Sequence, residues 1–155
     1  MTNYETATSI LIERFGKDNI IALATTDGER MHNRMVNALF IDDAFYVSTY
    51  TLSNKMKQIE ANPDVAICAP DWFSGHGQGK NLGWVLDPKN AELRLKLREA
   101  FVWFDHANNE NDPNCCILEI RLTDGMLIKD HNAFRYKIDF ENETALLSEN
   151  WGEFK

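Results

Sequence analysis

Residues 34–70 read RMVNALFIDDAFYVSTYTLSNKMKQIEANPDVAICAP, and this stretch decides the fold. Its first residues belong to a β-rich run over 33–41, and after Asp42-Asp43 a second run follows over 45–49. Paired aspartates between two β-rich runs are typical of a tight turn. The stretch therefore predicts two antiparallel strands joined by a short hairpin.

The second half of the stretch predicts a helix and another strand. Ser53 is a suitable N-cap residue, and Met56 and Ile59 are spaced to face inward from the same side of a short helix. Asn62-Pro63 ends that helix, because proline cannot continue it. The apolar run over 65–69 predicts the next strand.

The N-terminal part of the chain predicts one helix and one strand. Thr2 and Glu5 have the spacing of a capping box, and Gly16 ends the helix. The run over 20–26 is rich in β-formers and stops at Asp27-Gly28, which is a hairpin-turn signal.

The C-terminal half predicts a helix that starts at Asp87-Pro88 and two closing strands over 116–123 and 134–141, both with period-two alternation. The glycine-rich stretch 72–83 predicts irregular structure that becomes a strand near 82–86. The buried face of the helix is predicted to contain Leu93, Leu97, Ala100, Phe101 and Phe104.

Strands that follow one another by hairpins, with three helices, favour an α+β domain built on a barrel of antiparallel, Greek-key-like strands. The length of 155 residues fits a single domain over 1–155.

Composition excludes several classes of function. The net charge of −8 disfavours binding to nucleic acid, since the chain would repel phosphates. No apolar run is long enough to span a membrane, and residues 1–5 lack the features of a signal peptide, so we expect a cytoplasmic protein. The three cysteines, Cys68, Cys115 and Cys116, are expected to be reduced and mostly buried.

The cationic and hydroxyl side chains of the 34–70 stretch are suited to binding a phosphate monoester. Arg34 offers a bidentate guanidinium and Lys55 a point charge, at the start of a helix with free N–H groups. Hydroxyl donors come from Ser48, Thr49 and Ser53. The spacing alone fits equally well with surface charges and an ordinary serine cap.

These residues resemble a known family. Arg34-Met35-Val36, Phe45-Tyr46, Ser53-Asn54-Lys55, Gln58-Ile59 and Asn62-Pro63 are similar to the pyridoxamine 5′-phosphate oxidase-like family of FMN-binding split barrels. The resemblance implies a split β-barrel with a few flanking helices and FMN as the cofactor. The implied cofactor-binding residues are Arg34, Met35, Val36, Asn37, Ser48, Thr49, Ser53, Asn54 and Lys55.

The resemblance also implies a homodimer with the flavin at the subunit interface. Gln78 lies five residues before Gly83, where the family often has a glutamine that reaches the partner's flavin. A shared cofactor would make the dimer, rather than the monomer, the functional unit.

The chain departs from the oxidase itself in two places. The oxidase usually has Ser-Arg-Lys at the position of Ser53-Asn54-Lys55, so one phosphate cation is missing here. The region 127–139 offers Arg135 but no tryptophan or histidine that matches those that hold pyridoxal phosphate in the family. We therefore expect a short, general-stress-type member with an undefined substrate.

The other motifs give weaker indications of function. The segment Gly75–Lys80 lacks the pattern of a phosphate-binding loop, and we expect a mobile loop at the flavin edge, with His76 either a proton donor or an exposed side chain. The four histidines show no metal-ligand spacing, so no metal is expected. Trp103 is expected to pack rather than react. The tail residues Trp151 and Phe154 could dock on the partner subunit.

The expected function is that of an FMN-dependent oxidoreductase, with a reduced nicotinamide as a plausible electron donor. No protein acid–base catalyst stands out, which suits chemistry carried by the flavin ring. Two alternatives remain open: a non-catalytic flavin-binding module that serves as carrier or sensor, and a member that binds another planar ligand such as haem.

Overall fold

The computed structural model describes residues 1–130 and 134–149 of the chain. Eight strands run through the described part. They are β1 (Asn19–Thr26), β2 (Met31–Ile41), β3 (Ala44–Tyr50), β4 (Asp64–Ala69), β5 (Phe73–Trp84), β6 (Cys115–Ile128), β7 (Arg135–Asp139) and β8 (Thr144–Ser148).

All pairings between these strands are antiparallel, in the order β3-β2-β1-β4-β5-β6-β7-β8. A further pairing of β3 with β6 closes the first six strands into a barrel. β7 and β8 extend the sheet beyond β6. The predicted antiparallel α+β barrel is therefore confirmed.

Four α-helices lie around the barrel: α1 (Asn3–Phe15), α2 (Asn54–Ala61), α3 (Ala91–Ala100) and α4 (Phe104–Ala107), with a short 3-10 turn over Pro88–Asn90. The capping box at the start of α1 is formed as predicted, with both the Thr2 side chain and the Glu5 side chain bonded to backbone N–H groups.

The core has two parts on opposite sides of the barrel wall. One fills the barrel interior, where Phe15 packs against Phe45 and Phe73. The other lies outside β3 and β6, where α3 and α4 bury Leu97, Phe101 and Phe104. The neighbours Cys115 and Cys116 belong to different parts, because successive strand residues face opposite sides.

The prediction for the glycine-rich stretch is wrong, because Phe73–Trp84 is a continuous strand and Gly75–Lys80 lies within it. Its alternate glycines let β5 pass close to β6. A Cβ at Gly75 would stand 2.4 Å from the Asp124 carbonyl oxygen, and one at Gly77 would stand 2.7 Å from the Arg121 carbonyl oxygen. The glycines therefore mark close packing between strands rather than a loop.

Three smaller predictions also need correction. The helix that begins after Pro88 ends at Ala100, so Phe101 lies beyond it in an extended conformation and Phe104 begins the separate short helix α4. β8 was not predicted. The Cys68 thiol is exposed, since β4 places Val65, Ile67 and Ala69 inward and Cys68 on the other face.

In the described part of the chain, no helix has the length and apolarity to cross a membrane. The same residues contain no cluster of three or more histidine, cysteine, aspartate or glutamate side chains arranged to hold a metal ion.

Candidate functional site

The barrel is split between β2 and β3. These two strands pair over only three residues, from Leu39 opposite Tyr46 to Ile41 opposite Ala44. By contrast, β1 pairs with β2 over eight residues and β3 pairs with β6 over seven. Beyond Leu39 and Tyr46 the two strands diverge, which leaves facing edges over 34–38 and 47–50 without a ladder between them. We call this opening the split. Backbone N–H and C=O groups at such edges are available to a ligand.

Arg34 lies at the split with its guanidinium held in place by neutral groups. Its Nη1 donates to the Leu23 carbonyl oxygen at 3.1 Å, the Thr25 hydroxyl at 2.7 Å and the His32 carbonyl oxygen at 3.3 Å. Its Nη2 donates to Gln58 Oε1 at 3.4 Å, and Gln58 also accepts from the Thr25 hydroxyl. Burial lowers the pKa of the Arg34 guanidinium. The side chain is therefore preorganised without its charge being neutralised.

Lys55 lies in the first turn of α2, close to Arg34. Burial lowers the pKa of the Lys55 ammonium, and the positive charge of Arg34 lowers it further. Neither cation forms an ion pair with a carboxylate among the described residues. Two half-buried like charges without a counter-ion form a local positive site in an otherwise acidic chain.

The start of α2 adds hydrogen-bond donors to this positive site. Ser53 occupies the N-cap position as predicted, but contrary to the prediction its side chain makes no capping hydrogen bond. Its Oγ is buried and has no hydrogen-bond partner within residues 1–130 and 134–149. A buried hydroxyl and the free N–H groups of a helix start are both suited to an anion.

The two hydroxyl residues that were predicted to bind phosphate, Ser48 and Thr49, lie on opposite faces of β3. Thr49 shares the face of Val47, which packs in the barrel core, whereas Ser48 shares the face of Tyr46 outside it. Ser48 Oγ donates to Asn108 Oδ1 at 3.1 Å. Thr49 therefore lies on the same side of the strand as the cations, and Ser48 does not.

The remaining predicted residues lie at different places. The Met35 side chain is 63% exposed on the outer face of β2, and Val36 packs against the barrel core. Asn37 donates to Asp18 Oδ1 at 2.9 Å. Asn54 is exposed at the first position of α2.

Gln78 is not brought to the cations of its own chain. It lies exposed on β5, three strands away from β2 in the sheet order, and donates to Asp64 Oδ1. At about 4.8 Å per strand, this separation is roughly 14 Å. A role for Gln78 would require the flavin of a partner subunit and stays a prediction.

Three residues of the site were not assigned from the sequence. Thr25 and Gln58 hold the Arg34 guanidinium, and Trp103 donates its indole N–H to the same Asp18 carboxylate that accepts from Asn37. Gln58 was part of the family resemblance, but only the register of β1 and β2 and the placement of α2 show what it contacts.

No family model and no curated protein sequence matches the chain. Solved structures do match. A pyridoxamine 5′-phosphate oxidase-related, FMN-binding protein from Nostoc punctiforme is 17% identical, with a TM-score of 0.58 over 97% of each chain. General Stress Protein 26 from Bacillus anthracis is 19% identical, with a TM-score of 0.57 over 81% of this chain and 92% of the other.

A haem-binding protein from Mycobacterium smegmatis shares the fold as well, with 12% identity and a TM-score of 0.64 over 83% of this chain and 55% of the other. At such low identities these likenesses establish the fold and not the ligand. The chain thus has the split-barrel fold of the pyridoxamine 5′-phosphate oxidase-like proteins, in agreement with the resemblance seen in the residues around Arg34.

Proposed function

We propose that the chain binds FMN at the split, with the phosphate held by Arg34, Lys55 and the start of α2. The observation that carries this proposal is the pair of half-buried cations next to the Ser53 hydroxyl; within residues 1–130 and 134–149 neither cation has a carboxylate partner and the hydroxyl has no hydrogen-bond partner. A phosphate dianion would relieve the repulsion between the cations.

The unpaired strand edges support the placement of the ring. The isoalloxazine carries carbonyl oxygens and an N–H group, which suit the backbone edge of β2 near Met35 and Val36. When bound, a flavin supplies hydride and electron transfer. The protein's part is to hold the phosphate, present a backbone edge to the ring and shield the ring from water.

We further propose that the protein is an FMN-dependent oxidoreductase and works as a homodimer, with Gln78 of each subunit facing the flavin of its partner. Two observations favour a dimer. Gln78 lies on the outer face of the sheet and away from its own subunit's cations, and apolar side chains such as Met31 and Met35 are exposed on β2. A reduced nicotinamide is the proposed electron donor.

The decisive experiment compares FMN with riboflavin, which lacks only the phosphate. Binding would be followed by flavin fluorescence quenching in wild-type protein and in the variants Arg34→Ala and Lys55→Ala. Each substitution should weaken FMN binding by 10- to 150-fold, which corresponds to the roughly 1.5–3 kcal/mol of a charged hydrogen bond. Riboflavin binding should change little.

Lys57→Ala is the matched control, because Lys57 is exposed on the same helix two residues beyond Lys55. It should leave the affinity for FMN unchanged. Equal losses for FMN and riboflavin, or unchanged FMN binding in both test variants, would contradict the placement of the phosphate.

The two alternatives give different spectra and kinetics. A carrier or sensor would hold FMN through gel filtration without reduction by NADH or NADPH under anaerobic conditions. A haem-binding member would show a Soret band after titration with haemin and no retention of FMN. The likeness to the mycobacterial haem-binding protein makes the second titration worthwhile.

A further inference from the structure

A cavity of about 390 Å³ borders the split on the outer side of β3. Ser48, Thr49 and Tyr50 form one of its walls, and residues of α4 and the flanking chain form the opposite wall. These β3 residues belong to the edge that faces β2 without a ladder. Because the Thr49 side chain lies on the side of the cations, the cavity and the proposed phosphate site meet at this residue. The volume falls in the range of roughly 300–1,000 Å³ that is usual for small-molecule sites.

The chain around α4 is tied to both strands of the split. Towards β2, the Trp103 Nε1 donates to Asp18 Oδ2 at 3.0 Å, and the other oxygen of Asp18 accepts from Asn37 at 2.9 Å. Towards β3, the Ser48 hydroxyl is hydrogen-bonded to the side-chain amide of Asn108 over 3.1 Å. These bonds hold Trp103 beside the opening where β2 and β3 diverge.

Trp103 presents aromatic surface to the cavity that it lines. Its ring stacks on the buried ring of Phe101, with centroids 4.8 Å apart at an interplanar angle of 14°. Its N–H group is already bonded to Asp18. The indole therefore has a fixed orientation and offers the cavity an apolar ring surface, which suits a flat aromatic ligand.

The charges on the two sides of β3 differ in sign. Arg34 and Lys55 lie on the side of the phosphate site, whereas no lysine or arginine of the described residues lines the cavity. Asp112 lines it, and within residues 1–130 and 134–149 no cation pairs with this carboxylate. Burial raises the pKa of the Cys115 thiol in the cavity wall, and the negative charges of Glu110 and Asp112 raise it further. A ligand with one anionic end and one neutral flat end is therefore oriented by charge, with its neutral end in the cavity.

We propose that the isoalloxazine ring of the flavin extends from the edge of β2 into this cavity and lies against the Trp103 indole. The inference rests on the proposed function, because it assigns a place to the ring of the same ligand. Asp18 is then a positioning residue, since it holds Trp103 and Asn37 together at the opening. Arg34 and Lys55 govern the affinity for the phosphate, and Trp103 governs the affinity for the ring.

The test compares three ligands that share the ring: FMN, riboflavin and lumiflavin, in which a methyl group replaces the ribityl chain. Ala107→Met fills the cavity from α4, and the core is kept because Ala107 is exposed. It should weaken the binding of all three flavins by the same factor, at least tenfold. Ala91→Met, at an exposed position of α3 outside the cavity, is the matched control and should bind the flavins like wild type.

A second variant removes the aromatic surface itself. Trp103→Leu should weaken the binding of the three flavins equally, by about fivefold or more, as expected when a planar ring loses an aromatic side chain on which it stacks. Trp103→Phe should recover part of this loss. Trp72→Leu, at an exposed position in the turn between β4 and β5, is the control and should have no effect.

Three results would overturn the assignment of the ring. They are unchanged flavin binding in Ala107→Met, a larger loss for FMN than for lumiflavin in Trp103→Leu, and equal losses in Trp72→Leu and Trp103→Leu. Any of these, together with a selective loss of FMN in Arg34→Ala, would leave the phosphate site standing without the ring cavity.

The failure of the proposed phosphate site would look different. Unchanged FMN binding in Arg34→Ala, together with an equal loss of all three flavins in Ala107→Met, would support the ring cavity and reject the phosphate site. A wild-type protein that binds none of the three flavins would overturn both.

Discussion

Lys55 holds a charge that the folded chain does not stabilise. Its ammonium is partly buried beside Arg34, and both burial and the neighbouring charge lower its pKa. Since the unfolded chain keeps the proton more readily, this group reduces the free energy of unfolding at neutral pH. The penalty disappears as the pH rises from the lowered pKa towards the ordinary value of about 10.4.

Lys55→Met should therefore stabilise the protein without ligand at neutral pH and weaken FMN binding at the same time. Because the ammonium is partly exposed, we expect a gain of only about 0.5 kcal/mol, or roughly 1–2 °C in the thermal midpoint. The gain should shrink above pH 10. Thermal melts at pH 7 and pH 10.5 check this, and a loss of stability at pH 7 would show that Lys55 has a structural partner.

Thr25 orients Arg34 rather than touching the ligand. It is buried, accepts from Arg34 Nη1 and donates to Gln58. Thr25→Val keeps the shape but removes the acceptor, so the guanidinium loses one of its constraints. We expect FMN affinity to fall by about 3- to 10-fold, in the range of one neutral hydrogen bond.

The same measurement with riboflavin separates positioning from general damage. Thr25→Val should affect FMN more than riboflavin, as Arg34→Ala does but more weakly. Thr144→Val, at an exposed position of β8, is the control. A loss in Thr25→Val that is equal for the two flavins would mean that the threonine supports the barrel and not the phosphate site.

At the scale of elements, β5 packs so closely against β6 that only glycine fits at its points of closest contact. Gly75→Ala would place a methyl group 2.4 Å from the Asp124 carbonyl oxygen, and this oxygen belongs to the backbone of β6, which cannot rotate away. Overpacking of this kind costs about 1–3 kcal/mol. We expect the thermal midpoint to fall by about 3–10 °C.

Ser74→Ala is the neighbouring control, because Ser74 is exposed on the opposite face of the same strand. Urea unfolding followed by circular dichroism gives both free energies of unfolding. Equal stability in the two variants would show that β5 and β6 can separate at this point, as a mobile loop would.

For the molecule as a whole, ligand binding should raise the free energy of unfolding. FMN at one hundred times its dissociation constant should raise the free energy of unfolding by about 2.7 kcal/mol, provided that it binds only the folded state. For a chain of this length the thermal midpoint should rise by roughly 5–10 °C. Riboflavin at the same concentration should give a smaller shift, and no shift with either flavin would contradict a flavin site.

Much of the fold could be predicted from the sequence because its signals are local. The capping box at Thr2, the turns at Asp27-Gly28 and Asp42-Asp43, and the break at Asn62-Pro63 each act over a few residues. Period-two alternation in β6 and β7 identified one buried face. The glycines of β5 misled the prediction, since the same residue type serves loops and close strand contacts, and only the position of β6 distinguishes them.

The sequence by itself determined the antiparallel barrel class, and it marked a strand arginine and a helix-start lysine as candidates for an anion site. Tertiary structure alone decided that Arg34 and Lys55 meet at the split, with no carboxylate paired to either among the described residues, and that Thr49 and not Ser48 shares their side of β3. These outcomes depend on strand register and on contacts between residues distant in sequence. Local propensity contains no information about such contacts.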